Sequence, residues 1–342
     1  MKLDRVLGGI FGVCVGDALG LPVQFQTREE RKAKPVTDMT GYGAFGVPPG
    51  TWSDDSSLTL CLAESLCGGY DLGDIAGKFR RWLYEGYWTP FNKAFDVGGT
   101  TFRAIERLER GVDPRRSGDT AEDCNGNGSL MRILPLVFAV RGLDAPTRFR
   151  RVHGVSAITH AHPRTLVACG IYVQTALGLL EGLGAAEAVE RMRGVVTEQY
   201  GEGAAGGGPA KEAAAARGAL KDASAGELPH FGRILGRGAK EFASLPEGEI
   251  RSGGYVVDTL EAALWCLLNG RSYEDTVLKA VNLGWDTDTT AAVAGGLGGI
   301  LHGLGKIPER WVEAIAMRQK IEELAGKLHG SLAHGPPDER GA

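Results

Sequence analysis

Two short acidic clusters, more than two hundred positions apart, each lead directly into an apolar stretch with helical spacing. The first is Gly50-Thr51-Trp52-Ser53-Asp54-Asp55-Ser56, followed by the apolar run 58–66. The second is Gly284-Trp285-Asp286-Thr287-Asp288-Thr289-Thr290, followed by a small-residue run that reaches position 301. Either cluster alone reads as a helix start, because Ser and Asp oxygens accept orphan backbone N–H groups and the helix dipole favours negative charge there. A cap needs one such oxygen. Here four carboxylates and the hydroxyls of Ser53 and Thr289 stand at the starts of two helices apolar enough to be buried. In a low-dielectric interior these charges repel severely unless cations sit between them. Hard divalent ions accept an all-oxygen set, and with no His or Cys beside either cluster, Mg²⁺ or Mn²⁺ is favoured over Zn²⁺. The chain is therefore expected to bring its two ends together around shared metal.

The rest of the sequence predicts an all-α fold. Apolar residues recur at helical spacing over 58–66, 166–180, 257–268 and 290–301, with small residues where helices must approach closely, and alternating strand-like runs are nearly absent. The 52 glycines cluster at motif ends and loops with no fixed period, which argues against collagen-like or solenoid repeats. A hydrophobic content of 43% over 342 residues is enough for a sizeable core. Residues 1–330 are expected to form one compact orthogonal helical domain, with a Gly/Ala-rich flexible insertion near 201–227 and a disordered tail over 331–342.

The net charge of −4 and the lack of a long basic run give no electrostatic reason to expect nucleic-acid or membrane-surface binding. The six cysteines are scattered, without a Cys-x-x-Cys pair, and fit buried free thiols in a reducing, cytoplasmic setting. Lys2, Arg5 and the apolar run 6–15 superficially imitate a signal peptide, but Asp17 falls where the apolar region should continue and no Ala-x-Ala pattern follows. The run 291–301 is about half a bilayer span and reads as a buried helix.

Six segments, in this order, resemble the ADP-ribosylglycohydrolase family, including its dinitrogenase reductase-activating and arginine-type members. They are Gly12-x-x-x-Gly16-Asp17-Ala18-Leu19-Gly20; Ser53-Asp54-Asp55; Gly126-Asn127-Gly128-Ser129-Leu130-Met131-Arg132; Thr159-His160; Gly254-Tyr255-Val256-Val257-Asp258-Thr259; and Asn282-Leu283-Gly284-x-Asp286-x-Asp288-Thr289. The resemblance runs nearly end to end and implies a single all-α domain with two Mg²⁺ or Mn²⁺ ions at the base of an ADP-ribose cleft. Position by position, it places metal ligands at Ser53, Asp54, Asp55, Asp286, Asp288 and Thr289, with Ser53 standing where Thr is more usual. It places the diphosphate and ribose against the loop Gly126, Asn127 and Gly128, whose backbone N–H groups and absent side chains suit that role. Without the resemblance the same loop reads as a turn before an apolar helix from Leu130. His160 matches a position lining the cleft, though a lone His beside Ile158 also reads as a satisfied interior residue. Arg132 reads either as a phosphate contact or as a structural ion-pair partner.

Cleavage at an anomeric carbon passes through a cation-like transition state and needs an oriented water. Asp55, Asp96 and Asp288 are the catalytic candidates. Asp96 matches an Asp of the dinitrogenase reductase-activating branch thought to assist ribose opening or water activation; otherwise it would cap a helix over 100–108. Gln24 stands where the poly- and serine-ADP-ribose branch carries a Glu, and an amide cannot exchange a proton at neutral pH, so it is assigned to substrate binding. Asp17 is expected to brace the first loop. The resemblance therefore points to a hydrolase of ADP-ribosyl-arginine on proteins, with ADP-ribose and an ADP-ribosylated protein as partners and nucleic acid only as a modified substrate. Alternatives are hydrolysis of O-linked, small-molecule or nucleic-acid ADP-ribose conjugates, a catalytically weak ADP-ribose-binding module, and a structural helical protein whose acidic clusters are caps.

Overall fold

The longest and most apolar helices form the centre of the molecule, as expected for segments that are hydrophobic all round. The computed structural model describes residues 1–201 and 224–332. Its helices of ten or more residues are labelled α1 (Leu3–Gly20), α2 (Asp54–Leu66), α3 (Leu72–Glu85), α4 (Gly99–Glu109), α5 (Ala145–Ala157), α6 (Pro163–Leu180), α7 (Ala185–Tyr200), α8 (Val256–Asn269), α9 (Tyr273–Asn282), α10 (Thr287–His302) and α11 (Arg318–Leu332). Among the described residues there are no strands, only the isolated bridges Asp119–His160 and Gly126–Tyr255. The all-α expectation holds.

α1 and α10 form the central pair, with α8 and α9 packed on α10, and α11 and α2 on α1. Every residue from Gly8 to Gly20 in α1 is buried, as is every residue from Thr287 to Ile300 in α10. The pair approaches backbone to backbone through small residues. A Cβ at Gly12 would fall 2.2 Å from the carbonyl oxygen of Gly295, and one at Gly16 would fall 2.1 Å from that of Ala291. α1 is long and apolar enough to cross a membrane by composition, but 94% of that window is buried inside the protein. Its apolarity serves the core. Buried hydroxyls complete the pair's surroundings: Tyr273 donates to Gly12 O (2.9 Å) and Tyr172 to Val293 O (3.1 Å).

The expected helices form, and most begin earlier than their apolar runs. α2 starts at Asp54 and α10 at Thr287, so Asp54, Asp55 and Asp288 stand in the first helical turns with Ser53 and Asp286 just before them. The helix expected from Leu130 does not form: residues 128–135 are turns, and a short helix covers only Leu136–Val140. Pro135 accounts for this, because it disfavours helical backbone at the residue before it and removes a backbone donor. Ser331 and Leu332, expected to open the tail, belong instead to α11, which ends at the buried Leu332. The Gly/Ala-rich insertion, for residues 202–223, and the tail over 333–342 lie outside the described residues. All six cysteines are free thiols, five of them buried.

α5 and α7 meet through a buried imidazole. His153 stacks on Tyr200 (centroids 5.8 Å apart, 17° between planes), and its Nε2 lies 2.6 Å from the Tyr200 hydroxyl. Burial pushes the His153 pKa down to about 4, from 6.5 in an unfolded chain. The neutral ring therefore contributes its full stability above pH 6.5. Below that pH the unfolded chain takes up a proton the folded protein refuses, so stability falls at about 1.4 kcal/mol per pH unit until the folded pKa is reached. Urea titrations of His153→Phe are expected to show a flatter loss of stability between pH 6.5 and 4 than the wild type; identical slopes would remove His153 from this role.

Candidate active site

The two acidic clusters meet. Thr289 Oγ1 donates to Asp55 Oδ2 (3.3 Å) across a sequence separation of 234 residues. Ser53 caps α2, its Oγ accepting from Asp55 N (3.3 Å) and donating to Asp55 Oδ2 (3.0 Å). Capping thus explains Ser53. It does not explain Asp286, which precedes α10 but makes no side-chain cap. Asp288 accepts from Thr289 N through Oδ1 (2.9 Å).

Asp17, at the C-terminal end of α1, is the brace of this arrangement, though it holds the start of α2 and not merely its own loop. Its carboxylate accepts from Ser53 N (3.0 Å), Ser56 N (3.0 Å) and Ser56 Oγ (2.6 Å). One oxygen each of Asp17, Asp55 and Asp288 lies within 4.8 Å of the others. Because Asp17 is already served by these donors, we read it as holding the turn that carries Asp54 and Asp55.

The cage lacks internal compensation. Burial holds the carboxyls of Asp54, Asp55 and Asp288 well above the usual range, and the neighbouring aspartates push them further. Burial also raises Asp286, against the hydrogen bond it accepts from Asn127. Asp55 Oδ1 and Asp288 Oδ2 are buried and have no hydrogen-bond partner. Orphaned, mutually repelling oxygens of this kind fit a hard divalent cation, and Ser53, Asp54, Asp55, Asp286, Asp288 and Thr289 are the side chains at hand to hold one. The N-termini of α2 and α10 point their partial positive charge at the same place.

Asp96 and Gln24 stand beside the cage. The helix Gly99–Glu109 begins after Gly98 without a side-chain cap, so Asp96 is not its cap. Instead Asp96 sits half-buried in left-handed backbone (φ 56°) close to Asp288 and Gln24, and burial raises its pKa. Gln24 is 8% exposed and its Oε1 has no partner.

The glycine loop is tied to the cage through Asn127. Asn127 Nδ2 donates to Asp286 Oδ2 (2.6 Å) and to Thr259 Oγ1 (2.9 Å), while its backbone N–H goes to Gly254 O (3.1 Å). Ser252 O accepts from Asp286 N (3.0 Å), so the 252–255 segment lies between the two loops. His160 lies under the loop, 2% exposed, with Nδ1 2.8 Å from Thr159 Oγ1. A Cβ at Gly128 would fall 2.9 Å from its ring. Burial and the nearby Arg132 and Arg103 push the His160 pKa down to about 3, so the ring is neutral. Arg132 has no ion-pair partner among the described residues: fully buried, it donates to Gly128 O and to Thr159 Oγ1 (2.7 Å) and lies over the Phe79 ring. Thr259 and Ser252 are supports to which the motifs assigned no role, since their partners lie on distant segments. His162, given no functional role from sequence, caps α6 and pairs with Glu122 (3.2 Å).

An all-α protein thus gathers carboxylates from distant parts of its chain beside a glycine loop, a set of oxygens suited to a hard cation. A family profile described as ADP-ribosylglycohydrolase matches residues 1–337. The chain is 31% identical over 331 residues to the ADP-ribosylarginine hydrolase Tri1 of Serratia proteamaculans, covering 96% of this chain and 79% of that protein. It is 29% identical over 326 residues to the ADP-ribosyl-[dinitrogen reductase] glycohydrolase of Rhodospirillum rubrum, covering 93% and 92%. A solved structure of an ADP-ribosylglycohydrolase-related protein complex matches with a TM-score of 0.72 at 33% identity, over 96% of this chain and 98% of that one. The chain belongs to the ADP-ribosylglycohydrolase family and is a hydrolase acting on ADP-ribose conjugates.

Proposed function

We propose that this protein is a cytoplasmic enzyme that hydrolyses the N-glycosidic bond between ADP-ribose and an arginine side chain of a modified protein, using two Mg²⁺ or Mn²⁺ ions. The observation that carries the reading is the meeting of the two clusters, where Thr289 touches Asp55 and the oxygens Asp55 Oδ1 and Asp288 Oδ2 are buried without partners. The arginine linkage is supported by the names of the relatives in Serratia proteamaculans and Rhodospirillum rubrum. Gln24 supports it too, since it lacks the exchangeable proton that a Glu-dependent branch uses.

Ser53, Asp54, Asp55, Asp286, Asp288 and Thr289 would hold the ions. When bound, these supply Lewis acidity and neutralise the carboxylates around the ribose. The protein's own groups do the rest. Gly126 and Gly128 offer backbone N–H groups to the diphosphate, while the N–H of Asn127 is already engaged with Gly254. Buried Arg132 holds that loop through Gly128 O, and the neutral His160 ring packs against Gly128. Gln24 Oε1, a buried acceptor without a donor, takes a ribose hydroxyl. Asp96, whose raised pKa makes it a stronger base than an exposed aspartate, accepts the proton of the attacking water.

Released ADP-ribose, measured by chromatography after incubation with arginine-linked and serine-linked ADP-ribosyl peptides, tests this. Turnover of the arginine linkage with Mg²⁺ or Mn²⁺, abolished by a chelator and restored by added metal, is expected. Asp96→Asn should lower kcat by about 10²-fold with ADP-ribose binding retained. Turnover of the serine linkage alone would overturn the arginine assignment. Tight ADP-ribose binding without turnover under any divalent ion would make the protein a binding module.

A further inference from the structure

Three residues around the cage hold left-handed backbone that side-chain-bearing residues rarely adopt: Phe25 (φ 70°), Asp96 (φ 56°) and Trp285 (φ 64°). Two are large aromatics, each next in sequence to a residue of the site: Phe25 follows Gln24, and Trp285 precedes Asp286. Core packing does not account for them, since the side chains are 66% and 52% exposed. They are nevertheless held firmly. Phe25 N donates to Trp285 O (2.7 Å), and Trp285 N donates to Gln26 O (2.7 Å), which fixes the two residues side by side. The Phe25 ring continues into an aromatic row, 6.3 Å from Phe45, which lies 5.6 Å from Phe95, the residue before Asp96. The row links the loop of Gln24 to the loop of Asp96 along one edge of the site. Strained residues that persist at the mouth of a site are retained for what they contact.

We infer that Trp285 and Phe25 form the acceptor subsite and receive the guanidinium of the modified arginine on their ring faces. Aromatic faces carry negative quadrupole charge and attract a planar cation, and a guanidinium also stacks on them. A serine acceptor, with no planar cation, gains little from the same rings. This assignment rests on the arginine reading above and adds which residues discriminate the acceptor.

The test measures kcat and KM of wild type, Trp285→Ala, Trp285→Phe and Phe25→Ala on an ADP-ribosyl-arginine peptide with Mg²⁺, alongside ADP-ribose affinity by calorimetry. Trp285→Ala should raise KM on the order of tenfold and leave ADP-ribose affinity unchanged, Phe25→Ala should act in the same direction, and Trp285→Phe should recover most of the loss. Both side chains are exposed, so the variants are expected to fold. Unchanged KM in Trp285→Ala and Phe25→Ala with wild-type turnover intact would overturn the acceptor subsite alone. A parallel loss of ADP-ribose affinity would also overturn it, by showing that the rings serve the nucleotide or the Asp286 loop. Absence of arginine turnover by the wild type would sink the arginine reading, and the subsite with it.

Discussion

Asp288→Asn is expected to cost about 10²- to 10³-fold in turnover while making the metal-free protein more heat-stable. The substitution is nearly isosteric, and the amide keeps the acceptor that Asp288 Oδ1 offers to Thr289 N. It replaces the orphaned Oδ2 by a donor beside Asp55 and Asp286, whose charge adds to burial in holding Asp288 well above the usual carboxylate range. Removing one member of an uncompensated buried cluster relieves repulsion, and a gain of about 1 kcal/mol raises Tm by about 2–4 °C. Function moves the other way, because a neutral amide is a poorer ligand for a hard cation. Calorimetric scans in chelator and in Mg²⁺ check this: the variant should melt above the wild type in chelator and gain less from metal. A variant that melts below wild type in chelator and keeps full turnover would show that the cage is a hydrogen-bonded core element.

Gly16→Ala is expected to lower Tm by about 6–12 °C, from overpacking on the order of 3 kcal/mol. The added Cβ would stand 2.1 Å from Ala291 O and 2.5 Å from its carbonyl carbon, and backbone cannot yield as a side-chain tip can. Relief requires α1 and α10 to separate, which moves Asp17 away from Ser53 and Ser56 and Asp288 away from Asp55. Metal affinity should therefore fall with stability. Gly77→Ala is the control, because nothing lies within 4 Å of a Cβ there and Ala is the better helix former by up to about 1 kcal/mol. Equal melting temperatures for Gly16→Ala and wild type would remove the close approach of α1 and α10 from the account of the site.

Much of the site was legible because its chemistry is local in sequence. Ser53-Asp54-Asp55 and Asp286-x-Asp288-Thr289 carry too many oxygens for two caps, and charge repulsion alone requires them to share something. The helical expectation was equally secure, since spacing and small residues persist through 290–301. Where pattern failed, a single residue intervened. Pro135 breaks the helix read from Leu130, and α2 and α10 begin ahead of their apolar runs, taking Asp54, Asp55 and Asp288 into their first turns.

Asp96 illustrates the other limit. From sequence it balanced between capping a helix and joining the chemistry, because a lone Asp before a helix suits both. In the folded chain the helix starts without it and its carboxyl faces Gln24 and Asp288. Arg132 likewise departs from its ion-pair reading, since its partners are the Gly128 carbonyl and a hydroxyl supplied by another segment.

Residue types and their spacing were enough to establish that this chain is helical and that its acidic clusters must be brought together. They could not say that Asp17 holds the turn beneath Asp54, that Asn127 grips Asp286, or that Phe25 and Trp285 stand side by side at the rim. Such pairings join segments far apart in the chain. They exist because glycines let α1 and α10 touch backbone to backbone, a distance set by packing in three dimensions that no one-dimensional pattern records.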